Sequence, residues 1–202
     1  MRRRLMPRST LGALAAAASI LLAAACQQQA EPDYRPTATI PDYRPTATVK
    51  DLMQSIIDES ADVVWLAVME VHTETGIEET RPRNDEDWNR ARFGALALAE
   101  SANLLLMPGR RVARPGEKSE TPGVELEPEE MDVLIAEDLD GWNRRVLALH
   151  DAATRALAAI EAQDADALFM IGEEIELACE GCHSTYWYPN EVLPELPEVI
   201  EQ

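Results

Sequence analysis

Two thiols and an imidazole stand together near the end of the chain, in the stretch LACEGCHSTYWYP (residues 177–189). Cys179, Cys182 and His183 are spaced C-x-x-C-H, and Tyr186, Trp187 and Tyr188 follow directly. These residue types support four chemistries: covalent haem attachment, a zinc site, a thiol redox pair and a structural disulfide. On a helix, positions i, i+3 and i+4 share one face, so all three side chains are expected to point the same way.

The elements that position these residues follow from periodicity. From Val49 onward, Leu52, Met53, Ile56, Val63, Ala67 and Val71 recur at three- and four-residue steps, predicting a helix to about Glu74. A second helix is expected to open at Asn84 or Asp85 as cap and to stop at Pro108-Gly109. After a long polar loop, a third runs from near Glu129 to about Gln163. Asp164 or Asp166 caps a fourth, which carries the two cysteines and His183 before Pro189 closes it. No useful length of strand alternation is read anywhere. The expected fold is all-α, an up-down-up-down four-helix bundle over residues 49–190, with Trp65, Trp88 and Trp142 in its core.

That topology weighs the four chemistries. A zinc ion needs a fourth ligand, yet His72 is expected at the opposite end of the bundle. His150 lies about 30 Å along its helix at ~1.5 Å per residue. A redox thiol pair favours a helix N-terminus, whereas this one ends a helix. A disulfide across two residues closes a trivial loop and leaves His183 without a role. Haem uses all three: two thioethers at Cys179 and Cys182, and His183 as proximal iron ligand.

The start of the chain has the anatomy of a secretory signal over residues 1–25: a basic head, an apolar run too short to span a membrane comfortably, then small residues before Cys26. It is similar to the bacterial lipoprotein signal, which implies a lipidated Cys26 and anchoring on the periplasmic side of a membrane. Ala23 stands where leucine is more usual, and plain cleavage leaving Cys26 free is the alternative. Residues 26–48 hold a tandem repeat, PDYRPTATI then PDYRPTATV, whose prolines favour an extended linker or stalk. Residues 191–202 form an acidic tail. The net charge of −19 excludes nucleic acid as a natural partner and favours proteins with basic surfaces.

A helical bundle whose last helix ends in C-x-x-C-H, with an aromatic (here Tyr186) three residues on, resembles the class II c-type cytochromes. These include cytochrome c′ and the low-spin cytochrome c556 group. The resemblance implies one covalent haem c and a non-enzymatic electron carrier working with redox partner proteins. The low-spin members take a methionine from the start of the first helix as distal ligand, a place that Met53 matches. As alternatives, Met53 fills core space, or the iron is five-coordinate and binds nitric oxide in a homodimer paired through the first two helices. A haem-free lipoprotein that only binds partners is the rival from another class. Met107 and Met131 are expected at the haem end, Met69 and Met170 at the far end. Lys50, Arg110, Arg111 and Arg114 are candidates for propionate contacts. In the family a basic residue often follows the aromatic; here that position is Trp187, so its contacts do not carry over.

Overall fold

Caps and apolar spacing set the helices of the computed structural model, which describes residues 43–191. The expected signal segment, Cys26, most of the repeat linker and the acidic tail beyond Glu191 lie outside the described residues. The protein is mostly helical. Thr48 and Asp51 form a reciprocal capping box that starts α1 (Val49–Leu52). A π-turn (Met53–Ile57) follows and leads directly into α2 (Asp58–Ala67). Asn84 caps α3 (Asp85–Leu105) by accepting from the Asp87 N–H at 3.0 Å. Asp164 does the same for α6 (Ala165–Tyr186), accepting from Ala167 at 2.9 Å.

Three expectations are corrected. The first helix does not run evenly to Glu74: the π-turn interrupts it, and it stops at Ala67. Beyond it, β1 (Met69–Thr73) and β2 (Gly76–Thr80) pair antiparallel as a hairpin, Thr73 opposite Gly76, where no strand was expected. Most of the hairpin is exposed, so it had no buried face to write an alternating pattern into the sequence. The third helix is two: α4 (Pro128–Glu137) and α5 (Leu139–Glu161), broken at Asp138. That residue leaves helical geometry at φ −124° and ψ 49° to cap α5 through Gly141 N at 3.1 Å. A side chain at Gly141 would displace the Asp138 carboxylate from this capping position.

Packing joins these helices along three close seams: α2 with α3, α3 with α5, and α5 with α6. Leu98, Leu168, Ile175, Val64 and Val146 are wholly buried between them, each contributing about 1.5–3 kcal/mol by removal from water. Neighbours run antiparallel. Arg155 pairs with Glu174 at 2.5 Å, while Arg145 donates to the Gly181 carbonyl at 2.8 Å, nearer the other end of both helices. The fourth side is different. α2 and α6 touch sparingly, and the Trp65 indole bridges them by donating to Gly172 O at 3.1 Å. Of the three tryptophans expected in the core, Trp142 is buried, while Trp65 and Trp88 are partly exposed at its margin.

The α2–α3 seam is closest at Gly94. A Cβ built there would lie 2.7 Å from Val63 Cγ1 and 3.1 Å from Ser60 O. Valine is stiff at χ1 and cannot swing aside cheaply. Gly94→Ala is expected to lower stability in urea unfolding by about 1–2 kcal/mol despite alanine's better helix propensity. Adding Val63→Ala should restore most of that loss.

Candidate functional site

The seam that α2 and α6 leave slack opens, toward the α6 C-terminus, into a cavity of about 250 Å³ that is partly open to solvent. Its wall on one side is α1 and the π-turn, contributing Val49, Lys50, Met53 and Gln54, with Asp58 just beyond. On the other side the last turn of α6 and the residue after it contribute Cys182, His183, Tyr186 and Trp187. Met131, Ile135 and Trp142 come from α4 and α5.

The π-turn matters to this wall. An α-helix repeats every 3.6 residues, and a π-turn adds one residue to a turn. Met53 opens the turn and Asp58 follows it, five residues apart, yet both line the cavity. The start of the element is fixed independently. Val49 N and Lys50 N donate to Arg111 O and Val112 O, both at 2.9 Å, which ties α1 to the loop after α3.

On the α6 side, Tyr186 is only 3% exposed and meets Trp142 edge-on, ring centroids 5.5 Å apart. Its hydroxyl donates to the Asp138 carboxylate at 2.9 Å. Burial, then that bond, raises the phenol to about 12, and the same bond is the main reason Asp138 is held below the usual carboxylate range. The helix break at Asp138 thus supplies the acceptor that fixes the end of α6.

Cys179 and Cys182 are unbonded to each other and pack partly buried against the core; Cys182 reaches the cavity. Burial pushes the Cys179 thiol up to about 12, helped by Glu176, and the Cys182 thiol up to about 11. Neither is the low-pKa thiolate of a redox pair. Burial also depresses His183, outweighing the pull of Glu180 and Asp58, and favours the neutral imidazole that binds metals.

The remaining candidates divide. Lys50 lines the cavity and pairs with Glu120 at 3.3 Å. Arg110, Arg111 and Arg114 do not line it. Arg110 donates to Leu104 O at 2.9 Å, to Ala47 O and to Met107 Sδ at 3.3 Å. Arg111 pairs with Asp132, and Arg114 with Asp51, each at 2.7 Å. All three bolt the loop to the helices around it. Met131 reaches the cavity with Met53, whereas Met107 is held by Arg110. Lys118 went unremarked in the sequence and also lines the cavity, paired with Glu127 at 3.6 Å. Only the folded loop reveals it. That loop closes on Glu125, which accepts from Ser119 Oγ, Glu120 N and Thr121 N at 2.9–3.1 Å. Its end is sewn to the α6 terminus by Leu126 N donating to Trp187 O at 2.8 Å. His72 stands exposed on β1, and His150 lies along α5 beside Asp151.

A search of family models, of curated proteins and of solved structures finds no match to the chain. The resemblance to class II cytochromes therefore stands on CEGCH, Tyr186 and the helical layout alone.

With thiol pKa values this high, little thiolate exists at neutral pH. In protein made without any attachment machinery, Cys179 and Cys182 should alkylate with iodoacetamide at pH 8 at least about a hundredfold more slowly than free cysteine. The rate should rise steeply toward pH 11, read by mass spectrometry of the 165–191 segment.

Proposed function

We propose that this chain is an exported four-helix-bundle cytochrome that carries single electrons through one covalent haem c. The observation that carries the reading is that Met53 and His183, from different elements, line one cavity with Cys182. Thioethers at Cys179 and Cys182 would hold the group, His183 would be its proximal ligand and Met53 its distal ligand. Haem bound there supplies a reversible one-electron couple, and His/Met ligation raises its potential.

The residues present fit such a group. The cavity is walled largely by apolar side chains, Val49, Met53, Met131, Ile135 and Trp142 among them, as a hydrophobic macrocycle requires. Two cations, Lys50 and Lys118, stand on its lining to meet carboxylates. His183 is kept in its neutral, ligating form by burial. Its position is fixed from the next turn, where Tyr186 is clamped by Asp138 and Trp142. Trp142 and Tyr186 close the inner side to water, which sets the dielectric around the site. Export through residues 1–25 and anchoring by a lipidated Cys26 belong to the same reading, since such haem attachment in bacteria takes place outside the cytoplasm.

Coproduction with haem-attachment machinery should give coloured protein whose mass carries one haem. Met53→Ala is expected to turn a six-coordinate spectrum five-coordinate, while Met131→Ala leaves it six-coordinate. If Met53→Ala changes nothing and the wild type promptly binds carbon monoxide when reduced, the site is the five-coordinate gas-binding kind. Colourless protein of unmodified mass would return the chain to a haem-free helical lipoprotein.

The π-turn gives a second test. Deleting the exposed Ser55 takes out the extra residue, so that Met53 and the residue now at Asp58's place fall four apart on one face of a regular α-helix. The deletion variant should therefore keep its six-coordinate spectrum, unlike Met53→Ala, with its helical circular dichroism retained. Loss of six-coordination in that variant would mean that the wider turn itself sets the reach of Met53.

A further inference from the structure

Trp187 lines the cavity, yet lining it does not account for how much of the ring reaches solvent. Its backbone is tied on both sides, N–H donating to His183 O and carbonyl accepting from Leu126 N, each at 2.8 Å. The indole packs edge-on to the His183 ring with centroids 5.1 Å apart at 89°, yet it is 40% exposed. Tyr188 lies against it at 5.3 Å, its hydroxyl anchored to Glu180 at 2.8 Å. A large aromatic exposed and in contact with a proposed metal ligand is the form of an interface contact, not of core filling.

The charge around it is mostly negative. Glu176 and Glu180 bear on His183, Glu191 bears on Tyr188, and Glu117 and Glu120 stand along the loop side of the cavity. Lys50 and Lys118 line the same cavity, but each is paired with a glutamate. An apolar centre inside a charged rim is the anatomy of a small transient interface, where rim charge sets the association rate.

We propose that Trp187 and the acidic rim around it form the docking face for a basic one-electron redox protein. The inference rests on the haem reading and deepens it by naming the face and the partner's chemistry. Trp187 is the central contact and brings the partner up against the His183 side of the site. On docking, a reduced haem held by Cys179, Cys182 and His183 would give one electron to the partner's oxidised centre and be left oxidised, with no bond or proton changing hands. A second copy of the chain is disfavoured as occupant because the acidic rim would face itself.

The test uses the reduced holoprotein in stopped flow with an oxidised small basic c-type cytochrome. The second-order rate should fall as salt rises. Trp187→Ala should lower it roughly tenfold. Glu176→Gln with Glu191→Gln should lower it several-fold at low salt and flatten the salt dependence, by roughly the weight of two rim charges. Glu78→Gln with Glu161→Gln, at the opposite end, should leave the rate alone. In a titration of ¹⁵N-labelled protein with the same cytochrome, the Trp187 indole resonance should shift while those of Trp65, Trp88 and Trp142 stay.

The proposal is overturned if the Trp187 and Glu176/Glu191 variants react like the wild type, or if the opposite-end pair slows as much. It is also overturned if Trp187→Ala alters the haem spectrum, making Trp187 a support of His183, or if Trp187 instead mediates self-association in sedimentation. Failure of the haem reading is distinct, because that protein has no haem absorption at all.

Discussion

The slack contact between α2 and α6 is the constraint on which the rest of the structure turns. Three seams close tightly through Val64, Leu98, Val146, Leu168 and Ile175, and the fourth does not. Small residues let the closed seams come near: Gly94 admits Val63, and Ala152, Ala153, Ala156 and Ala159 lie buried on α5. No comparable interdigitation joins α2 to α6, and one indole hydrogen bond spans them. A cavity at one end is the direct product of that unequal packing. Core density elsewhere makes it a local feature and not general looseness.

What holds the cavity's shape is a set of polar ties, each anchoring one wall. Thr48 and Asp51 fix the start of α1, and two backbone bonds fix it again to Arg111 and Val112. Asp138 interrupts one helix to cap the next and receives Tyr186 from a third. Glu125 gathers the loop, and Leu126 fastens it to Trp187. Polar groups in such positions are costly when unpaired, and each here has its partner. The arginines belong to the same scaffolding: Arg110 donates to the carbonyls of Ala47 and Leu104, while Arg111 and Arg114 pair with Asp132 and Asp51.

Much of this was legible in the sequence, for local reasons. Asn84 and Asp164 announce their helices because a side-chain cap acts within three residues. Pro108-Gly109 ends a helix by steric rules alone. The C-x-x-C-H spacing marks where a site is to be sought, and Cys182 and His183 do line the cavity. What stayed hidden depends on contacts distant in sequence, or on an absence of burial. The apolar spacing around Met53 tolerates one inserted residue without losing its look of amphipathicity, so the π-turn left no mark. Asp138 sits between two apolar runs that read as one helix, and its partner Tyr186 lies 48 residues away. Lys118 reaches the cavity through a loop whose path is set by Glu125 and Arg111, not by its own periodicity.

The hairpin offers a practical corollary. β1 and β2 project with most of their side chains in solvent, and Arg81 rivets their base to α6 through Ala165 O and Asp166, each at 3.1 Å. The two-residue turn at Glu74 and Thr75 touches neither wall of the cavity. A cysteine or affinity tag placed in that turn would let the molecule be immobilised on an electrode or sensor chip in one orientation, leaving the Trp187 side outermost.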